Sequence, residues 1–390
     1  MEFDAIIVGI GGMGCAAAWQ LARRGRRVLG LERFDIPHAL GSSHGVTRII
    51  RLPYYEHPAY VPLLRRAFEL WREIERIAGE ELLVVTGSID AGPEGGGLFH
   101  GALASARLHH LPHEVLTGSA VNDRFPGYRL PARVRAVFQP EGGFIGSERA
   151  IVAHVSAAQA AGADIRARER VLGWEAPGGG AVEVTTDKAR YAAANLILTA
   201  GAWMGELAAP LRTLAVPERQ VLAWLQPRRP ELFAPDRFPV FNLEVEEGRH
   251  YGLPVYQVPG FKFGRYHHRG ETAPADAIRR DIDAEDERLL RQFGERYFPD
   301  GCGASMALRP CVFTNTPDEH FIVDRHPEHP QVILASPCSG HGYKFCSVVG
   351  EILADLAAEG ATRHDISLFR LDRPALTQRP PIQGGQPAAA

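Results

Sequence analysis

The segment at residues 3–32 reads FDAIIVGIGGMGCAAAWQLARRGRRVLGLE and decides the fold. Its first residues, 3–8, have the length and composition of a buried strand, and a glycine-rich loop at 9–14 follows them directly. A helix-like run then covers 15–24, and a second strand at 27–31 closes the segment. Strand, glycine loop, helix and strand in this order predict a βαβ unit that opens a doubly wound sheet.

The glycine loop has the spacing G-x-G-x-x-G in Gly9, Gly11 and Gly14, with Gly12 inside it. The first glycine permits a tight turn, the second lets the backbone approach a pyrophosphate, and the third lets the helix pack on the strand. Free N–H groups at the start of the helix attract phosphate oxygens. Glu32, directly after the second strand, can accept hydrogen bonds from ribose hydroxyls. The motif therefore predicts a dinucleotide site, but it does not separate NAD from FAD.

Charge and cysteine content restrict the class of protein. The chain has 390 residues, a formal net charge of −3 and 45% hydrophobic residues, which is typical of a globular protein without an electrostatic footprint for nucleic acid or an anionic membrane. No apolar run is long enough to span a bilayer, and the acidic start differs from that of a signal peptide. The five cysteines are Cys15, Cys302, Cys311, Cys338 and Cys346. This odd, scattered set predicts reduced thiols and a cytoplasmic location.

Several later segments have clear secondary-structure signals. Apolar residues at helical spacing predict a helix over 59–77, and the serine that opens 147–161 is positioned to cap a second helix. A turn between two strands is predicted at 177–181. An apolar strand at 195–198 leads into the pattern T-x-G-x-W at 199–203, which is typical of FAD oxidoreductases. A buried strand with a tight turn explains that pattern equally well.

The second half of the chain alternates between two patterns. Short apolar alternations with frequent proline and glycine predict an antiparallel sheet over 217–313, and strands followed by a helix at 348–358 restore the βα pattern. We predict an α/β fold in which a Rossmann-like nucleotide-binding domain is interleaved with an antiparallel-sheet (α+β) substrate domain. The nucleotide-binding domain is expected at 1–82, 144–215 and 317–375, the substrate domain at 83–143 and 216–316, and a disordered tail at 376–390.

Seven stretches resemble those of a known family, in the family's order. They are GIGGMG at 9–14, GSSHGVTRIIR at 41–51, EGGFIG at 141–146, YGLP at 251–254, FKFG at 261–264, CVFTNTPDEHFIVD at 311–324 and SGHGYKF at 339–345. The chain, up to about residue 375, thus resembles the monomeric sarcosine oxidase family, which includes N-methyltryptophan oxidase and pipecolate oxidase. The resemblance implies an FAD-binding domain, a secondary amine beside a carboxylate as substrate, and O2 as the electron acceptor with H2O2 as product. It also implies a monomer.

The resemblance assigns roles to individual residues. Cys311 matches the cysteine whose sulfur is bonded to the C8 methyl group of the flavin, so covalent FAD is expected; a buried small hydrophobe is the alternative. Arg51 and Lys344 match the pair that binds the substrate carboxylate. Lys262 matches the lysine that holds a water at flavin N5 and activates oxygen, and Arg48 matches a cation beside the ring.

The other expected site residues follow from the same matches. His44 and Thr47 match flavin contacts, and Tyr251 matches a tyrosine of the substrate pocket, with a catalytic role beside Lys262 and Arg48. Further cofactor contacts are expected from Arg33, Ser42, Gly201, Trp203, Gly340, His341, Gly342 and, shared with the substrate, Lys344.

The chain departs from the family at the substrate pocket. The family has a histidine four residues after the lysine; here Tyr266 has that spacing and His267 follows it, so His267 is the catalytic candidate unless the role is lost. Phe313 replaces a pocket tyrosine, and no residue matches a pocket methionine. Sarcosine is therefore one of several possible substrates, together with other N-methyl amino acids, pipecolate and proline.

The segment SPCSGHGYKFCS at 336–347 could be a metal site, a thiol site or a ligand-binding turn. Cys338, His341 and Cys346 lack a C-x-x-C pair and lie across a loop-to-helix junction, so no metal is predicted. A thiol nucleophile would need a base partner. In light of the resemblance, the two glycines are expected to let backbone N–H groups approach the flavin where the last helix begins.

Three other functions fit parts of the sequence. A D-amino acid dehydrogenase would share the FAD site but pass its electrons to a quinone. An NAD-linked dehydrogenase would need only the glycine motif. A flavin-binding protein without turnover would keep the fold and lose the chemistry.

Overall fold

The computed structural model describes residues 2–178 and 180–377. Most of the tail predicted to be disordered, 376–390, lies outside the described residues; its first two residues belong to a short final helix. Within the described ranges, no helix is both long and apolar enough to cross a lipid bilayer.

The described part of the chain folds into strands and helices with the following bounds. The strands are β1 Phe3–Val8, β2 Val28–Leu31, β3 Thr47–Ile50, β4 Leu83–Val85, β5 Ser88–Pro93, β6 Glu114–Thr117, β7 Val134–Gln139, β8 Gly143–Gly146, β9 Asp164–Arg166, β10 Val171–Gly178, β11 Ala181–Thr186, β12 Arg190–Leu198, β13 Val216–Leu225, β14 Val240–Val245, β15 Gly248–Leu253, β16 Phe261–Arg265, β17 Ser305–Asn315, β18 Ile322–Arg325 and β19 Val332–Ser336. The helices are α1 Gly12–Ala22, α2 Tyr60–Ala78, α3 Gly97–Leu108, α4 Gly118–Arg124, α5 Ser147–Ala160, α6 Met204–Leu207, α7 Ala284–Tyr297, α8 Cys346–Glu359 and α9 Pro374–Thr377.

The first sheet contains both strands of the βαβ unit, β1 and β2. Its strand order is β10-β11-β12-β1-β2-β9, and β19, with β18 beyond it, pairs with the second half of β12. β1 is parallel to β2 and β12, so Val8 lies beside both Leu31 and Leu198. The carboxyl ends of these strands meet at one edge and place the glycine loop, Glu32 and Thr199 side by side. Doubly wound sheets bind nucleotides in this crevice.

Helix α1 begins earlier than the sequence predicts, at Gly12 rather than Cys15. The N–H of Cys15 donates to the carbonyl of Gly11 at 3.0 Å, so the first helical turn forms from the glycine loop itself. Nearly all of α1 is buried against α5 and α8. The contact with α8 is close, because a Cβ on Gly350 would lie 2.6 Å from the Ala16 side chain.

The start of α5 corrects the prediction that Ser147 caps this helix. Gly146 occupies the cap position, and Ser147 is the first helical residue, whose Oγ donates to Glu148 Oε2 at 2.6 Å. The Glu148 carboxylate in turn accepts the N–H groups of Gly45 and Val46. The hydroxyl therefore supports a long-range loop contact, which the local sequence pattern does not reveal.

The second sheet has the order β17-β13-β16-β15-β14-β5-β7-β6. Its pairs are antiparallel as predicted, except that β14 and β5 are parallel. The exception arises where a strand from the segment before residue 144 meets one from the segment after residue 216, so no hairpin turn joins them. A third sheet, β3-β8-β4, carries Thr47 and Arg48 on its edge strand β3.

The register of the second sheet decides which side chains share its face. Residues directly opposite on neighbouring strands point to the same side. Asp90, Asn242, Tyr251 and Gly264 are successive partners across β5, β14, β15 and β16. Cys311 on β17 is the direct partner of Gln220 on β13. This pair is displaced by two residues along the strands from the row just described, so Cys311 lies on the same face.

Candidate active site

One cavity connects the carboxyl edge of the first sheet with the face of the second. Its volume is about 410 Å³, within the range of cofactor and small-molecule sites. Its walls run from the glycine loop and Glu32, through Thr47, Arg48 and Cys311, to Arg51, Asn242, Tyr251, Tyr266 and Lys344. Of the predicted site residues, four do not line it: Gly14, His44, Lys262 and His267.

The glycine loop has the geometry of a nucleotide cradle. Gly9 has a φ of 94°, and a Cβ on Gly14 would lie 1.9 Å from the Gly9 carbonyl oxygen. Gly14 therefore serves the packing of α1 on the loop. A Cβ on Gly11 would meet nothing nearer than Ser43 Oγ at 3.6 Å, so the loop is open to a ligand there. Gly12 lines the cavity, and a Cβ on it would lie 2.5 Å from Cys346 Sγ.

Replacing Gly14 by alanine is expected to lower the content of the FAD that the family resemblance implies at least tenfold in the purified protein, and to lower its Tm by several degrees. A methyl group 1.9 Å from a backbone carbonyl cannot be accommodated unless α1 moves away from the loop. Gly173→Ala is the matched control, since a Cβ there meets no atom within 4 Å. Unchanged FAD content in Gly14→Ala would contradict this role of the glycine. Flavin absorbance per protein and a thermal melt give both readouts.

Glu32 holds the turn that follows β2. Its Oε2 accepts the N–H of Ile10 at 2.9 Å, and its Oε1 accepts the N–H of Phe34 at 3.0 Å. Each carboxylate oxygen has a further lone pair, and the residue lines the cavity. The remaining lone pairs are those that could accept the ribose hydroxyls expected from the sequence.

Arg33, Trp203 and Gly201 line the same end of the cavity. Arg33 forms two 2.9 Å hydrogen bonds with Asp276, and Trp203 Nε1 donates to the same carboxylate at 2.8 Å. Arg33 and Trp203 are thus linked through Asp276, which lies in the short turn Ala275–Ala277 before α7.

Cys311 lies in an electropositive part of the cavity wall. Arg48 Nη2 is 3.6 Å from its Sγ. Burial raises the pKa of Cys311, but the imidazole of His44 and the guanidinium of Arg48 outweigh burial and lower it to about 6. Ser42 Oγ donates to the carbonyl of Val312 at 2.6 Å and joins this loop to β17. A thiolate is therefore available at neutral pH, which the chemistry of a flavin link needs.

The other thiols differ from Cys311. Burial raises the pKa of Cys338, which also lines the cavity, to about 11 and raises that of Cys346 further. Burial likewise raises the pKa of Cys15 and of Cys302 to about 12. Burial thus favours the protonated form of these four thiols, in contrast to Cys311.

Two buried cations stand at the end of the cavity beyond Cys311. Lys344 is 6% exposed, and its Nζ donates to the carbonyl of His341 at 2.6 Å. Burial and the charge of Arg51 lower the pKa of Lys344 to about 7, although Glu56 and Asp90 act against them. Arg51 is 1% exposed, and its guanidinium lies 4.4 Å from the ring centroid of Tyr54.

Arg51 is held by groups that the sequence does not single out. Its Nη2 donates to the Glu56 carboxylate at 3.0 and 3.1 Å, and its Nη1 donates to the carbonyl of Pro53 at 2.8 Å. Nε lies 3.5 Å from Asp90 Oδ1. Burial raises the pKa of Glu56, but Arg51 outweighs burial and lowers it to about 2. The cation is thereby fixed in place while it also lines the cavity.

Lys262 lies one layer behind the cavity wall. Its Nζ donates to the carbonyls of Gly45 and Thr47, at 2.7 and 2.6 Å. Burial and the charge of Arg48 lower the pKa of Lys262 well below its ordinary value. The lysine therefore supports the strand that presents Thr47 and Arg48 to the cavity.

The structure corrects the prediction for His267. β16 ends at Arg265, and His267 lies in the turn that follows it, with a φ of 51°. Tyr266 lines the cavity. His267 instead contacts Glu218 at 2.8 Å and Glu319 at 3.0 Å. Hydrogen bonds to these two carboxylates raise the pKa of His267 to about 9.

The segment before α8 closes the cavity tightly. Gly340 has a φ of 78°, and a Cβ on it would lie 2.5 Å from the Phe313 ring. A Cβ on Gly342 would lie 1.6 Å from the Pro337 carbonyl oxygen. Nε2 of His341 lies 2.8 Å from the carbonyl of Glu319, and in the tautomer in which it donates to that carbonyl, Nδ1 accepts the hydroxyl of Tyr54 at 2.7 Å. Both glycines line the cavity beside the turn that precedes α8.

Several site residues have no sequence motif. Tyr54, Glu56 and Asp90 contact the two cations. Asn242 lines the cavity, and Arg249 stacks on Tyr266 with its guanidinium 3.9 Å from the ring centroid. Once strand pairing is known, alternation identifies Asn242 and Arg249, but neither stands in a distinctive local pattern. A possible metal-binding group, His326, Glu328 and His329, lies outside the cavity lining.

Comparison with known proteins decides the family. The family model described as FAD dependent oxidoreductase (DAO) matches residues 4–356. Monomeric sarcosine oxidase of Bacillus sp. (strain NS-129) is 40% identical over 380 residues, which are 96% of this chain and 98% of that protein. The chain belongs to the monomeric sarcosine oxidase family. FAD, rather than NAD, is therefore the cofactor left open by the glycine motif.

Other members of this family, and their structural neighbours, extend the match. N-methyl-L-tryptophan oxidase of Yersinia pestis (strain Pestoides F) is 35% identical over 96% of this chain and 100% of its own length. The open form of NikD, described as an unusual amino acid oxidase essential for nikkomycin biosynthesis, has a TM-score of 0.82 and 27% identity, over 94% of this chain and 97% of that one. Glycine oxidase from Geobacillus kaustophilus, at 21% identity and a TM-score of 0.78 over 95% of this chain and 98% of its own, shares the fold.

The cavity of this sarcosine oxidase family member fits FAD by its own chemistry. The loop is open at Gly11, Glu32 lines the cavity and keeps lone pairs that could accept ribose hydroxyls, and Cys311 is a thiol of lowered pKa in the same cavity. Backbone N–H groups at the start of α1 favour phosphates.

Proposed function

We propose that the protein oxidises the C–N bond of a secondary amino acid, N-methyl or cyclic, to an imine and reduces O2 to H2O2. The observation that carries this proposal is the pair of buried cations, Arg51 and Lys344, in the same cavity as the thiol of Cys311. A carboxylate bound by the two cations leaves its amine directed along the cavity toward that thiol. The family's named members, which act on sarcosine and on N-methyl-L-tryptophan, support the same class of substrate.

We also propose that FAD is attached to Cys311. The lowered pKa of this thiol and the nearby charge of Arg48 support the attachment. FAD, when bound, supplies a two-electron acceptor for the substrate and passes the electrons to O2. The protein is proposed to act as a monomer on a small amino acid and O2.

The cavity walls prepare the substrate. A secondary amine must lose its extra proton before it is oxidised, and the cations Arg48, Arg51 and Lys344 lower the pKa of a bound ammonium group. No residue of the cavity has to act as a strong base for this purpose. Tyr251 and Tyr266 cover the amine with aromatic surface and exclude water from it.

Carboxylate binding is expected to weaken as the pH rises above about 7. Lys344, with a pKa lowered to about 7, loses the charge that attracts the anion. The Kd of propanoate, followed by the flavin spectrum of the holoenzyme, should rise about fivefold from pH 7 to pH 8. Asp90, whose burial raises its pKa to about 6, adds a smaller change of the same sign at lower pH. In Lys344→Met the Kd should be higher and flat above pH 7; an unchanged slope would show that another group titrates.

Lys262 is proposed to support the reaction with oxygen. In Lys262→Met, we expect substrate to reduce the flavin within a few-fold of the normal rate, whereas reoxidation by O2 slows about 100-fold, because Lys262 holds the carbonyls of Gly45 and Thr47 and so positions the cation Arg48 in the cavity wall. Lys188→Met, at an exposed position, is the matched control. Stopped-flow absorbance separates the two half-reactions. Normal reoxidation in Lys262→Met would refute the assignment.

The proposed function is tested by oxygen uptake. Purified holoenzyme is mixed with sarcosine, N-methylalanine, pipecolate or proline, and with N-methylpropylamine, which has no carboxylate. We expect at least one amino acid to drive oxygen uptake with an equal amount of H2O2, and N-methylpropylamine to be at least 100-fold poorer in kcat/KM. Substrate-dependent reduction that only a quinone can reverse would instead identify an amine dehydrogenase.

A further inference from the structure

The wall of the cavity beside Arg51 carries a polar pair, Asn242 and Asp90. Asn242 lines the cavity and Asp90 lies behind it, as its direct partner across β14 and β5. Asp90 is 1% exposed and Asn242 is 3% exposed. Tyr251 and Leu253, on the neighbouring strand β15, also line the cavity.

Asp90 fixes the orientation of the Asn242 amide. Asn242 Nδ2 donates to Asp90 Oδ1 at 2.8 Å. A carboxylate can only accept, so the NH2 group must face Asp90 and the carbonyl Oδ1 must point away from it. Within the described part of the chain, Oδ1 has no hydrogen-bond partner, while the residue opens only to the cavity. Asn242 Oδ1 is thus a hydrogen-bond acceptor of fixed orientation that faces the cavity.

The acceptor lies close to the expected position of the substrate carboxylate. Arg51 Nε approaches the same Oδ1 atom of Asp90, at 3.5 Å, that Asn242 contacts at 2.8 Å. A carboxylate bound by Arg51 therefore places the α-carbon and its side chain within a few bonds of Asn242. In the proposed function, the amine lies on the side of the cavity that carries Cys311.

The hydroxyl of Tyr251 does not donate to Asn242 Oδ1. Tyr251 is the partner of Asn242 across β15, but its ring extends over Gly264, where a Cβ would lie 2.5 Å from the Tyr251 hydroxyl. The hydroxyl thus points along the sheet, away from Asn242. Nothing in the cavity wall of the described residues donates to Asn242 Oδ1.

We propose that Asn242 is a specificity-determining residue that selects N-methyl amino acids whose side chain carries a short hydrogen-bond donor, such as a hydroxyl group. A donor on the β-carbon pairs with the uncovered Oδ1, whereas an apolar side chain of the same size leaves that buried oxygen unpaired. Asp90 is a positioning residue, because it acts only through the orientation of the amide. The inference rests on the proposed function and names the substrate side chain for the same site.

The test compares two substrates of equal size, N-methylserine and N-methyl-2-aminobutyrate, with both enantiomers of each. The wild-type holoenzyme is expected to prefer the serine derivative about tenfold in kcat/KM. Asn242→Leu should bring this ratio to about one, mainly through the serine derivative. Asp90→Asn should reduce the preference in part, because an amide partner no longer fixes the orientation. Asn195→Leu, outside the cavity, is the matched control and should leave the ratio unchanged.

The experiment distinguishes failure of the proposed function from failure of the role proposed for Asn242. If neither compound nor any other N-methyl amino acid is oxidised, the proposed function fails. If both are oxidised and the apolar one is equally good or better, or if Asn242→Leu leaves the ratio unchanged with full flavin content, the role of Asn242 is wrong while the function stands.

Discussion

Replacing Arg51 by methionine is expected to lower kcat/KM for an N-methyl amino acid about a thousandfold. The arginine fork can give a carboxylate two charge-assisted hydrogen bonds, each worth roughly tenfold to a hundredfold in a site from which water is excluded. Arg51 is 1% exposed and lines the cavity, so water cannot replace it at low cost. Arg51→Lys keeps the charge but loses the planar fork, and an intermediate loss is expected. Steady-state kinetics measures both variants.

The control for Arg51 must allow for its buried partners. Loss of the guanidinium leaves the carboxylates of Glu56 and Asp90 without their cation, which destabilises the fold. The double variant Arg51→Met with Glu56→Gln relieves one of these charges. N-methylpropylamine, which has no carboxylate, should be oxidised at its low wild-type rate by both variants. If kcat/KM for the amine falls as far as that for the amino acid, Arg51 does not recognise the carboxylate.

Replacing Cys311 by serine is expected to abolish covalent retention of the flavin. After acid precipitation, the wild-type pellet should stay yellow, and that of Cys311→Ser should be colourless with the flavin in the supernatant. Cys311 is the thiol whose pKa is lowered, to about 6, by His44 and Arg48 against the effect of burial. A serine hydroxyl does not form the corresponding oxyanion at neutral pH.

Cys338→Ser is the matched control for this experiment. Cys338 also lines the cavity, but burial raises its pKa to about 11. The pellet of this variant should stay yellow. If wild-type flavin appears in the supernatant, or if Cys338→Ser releases it, the proposed link to Cys311 is wrong.

The nucleotide end of the molecule could be predicted from the sequence because its signals are local. Strand, glycine spacing and acidic residue follow one another within 3–32, and β1 has the predicted bounds. Gly14 has the packing role that its spacing predicts, since a Cβ there would collide with Gly9. The family's motifs also located Arg48, Arg51, Cys311 and Lys344, which the fold brings to one cavity.

The substrate end could be predicted only in part because it depends on strand register and on distant loops. Asn242 comes to lie against Asp90 through a parallel pair that joins two separate chain segments. Glu56 follows Arg51 closely in the chain, yet no pattern shows that the two pair. His267 is the instructive case, since it lies in the turn after β16 and contacts Glu218 and Glu319, two residues that are distant in the sequence. Ser147 misled the prediction because its hydroxyl bonds to Glu148 instead of capping α5.

The most direct test of the account is anaerobic reduction of the purified holoenzyme by an N-methyl amino acid, followed by exposure to air. The account predicts that the flavin absorbance bleaches within seconds, that it returns when O2 is admitted, and that one H2O2 forms for each flavin reoxidised. A flavin that no N-methyl or cyclic amino acid bleaches, or one that bleaches but stays reduced in air, would contradict it.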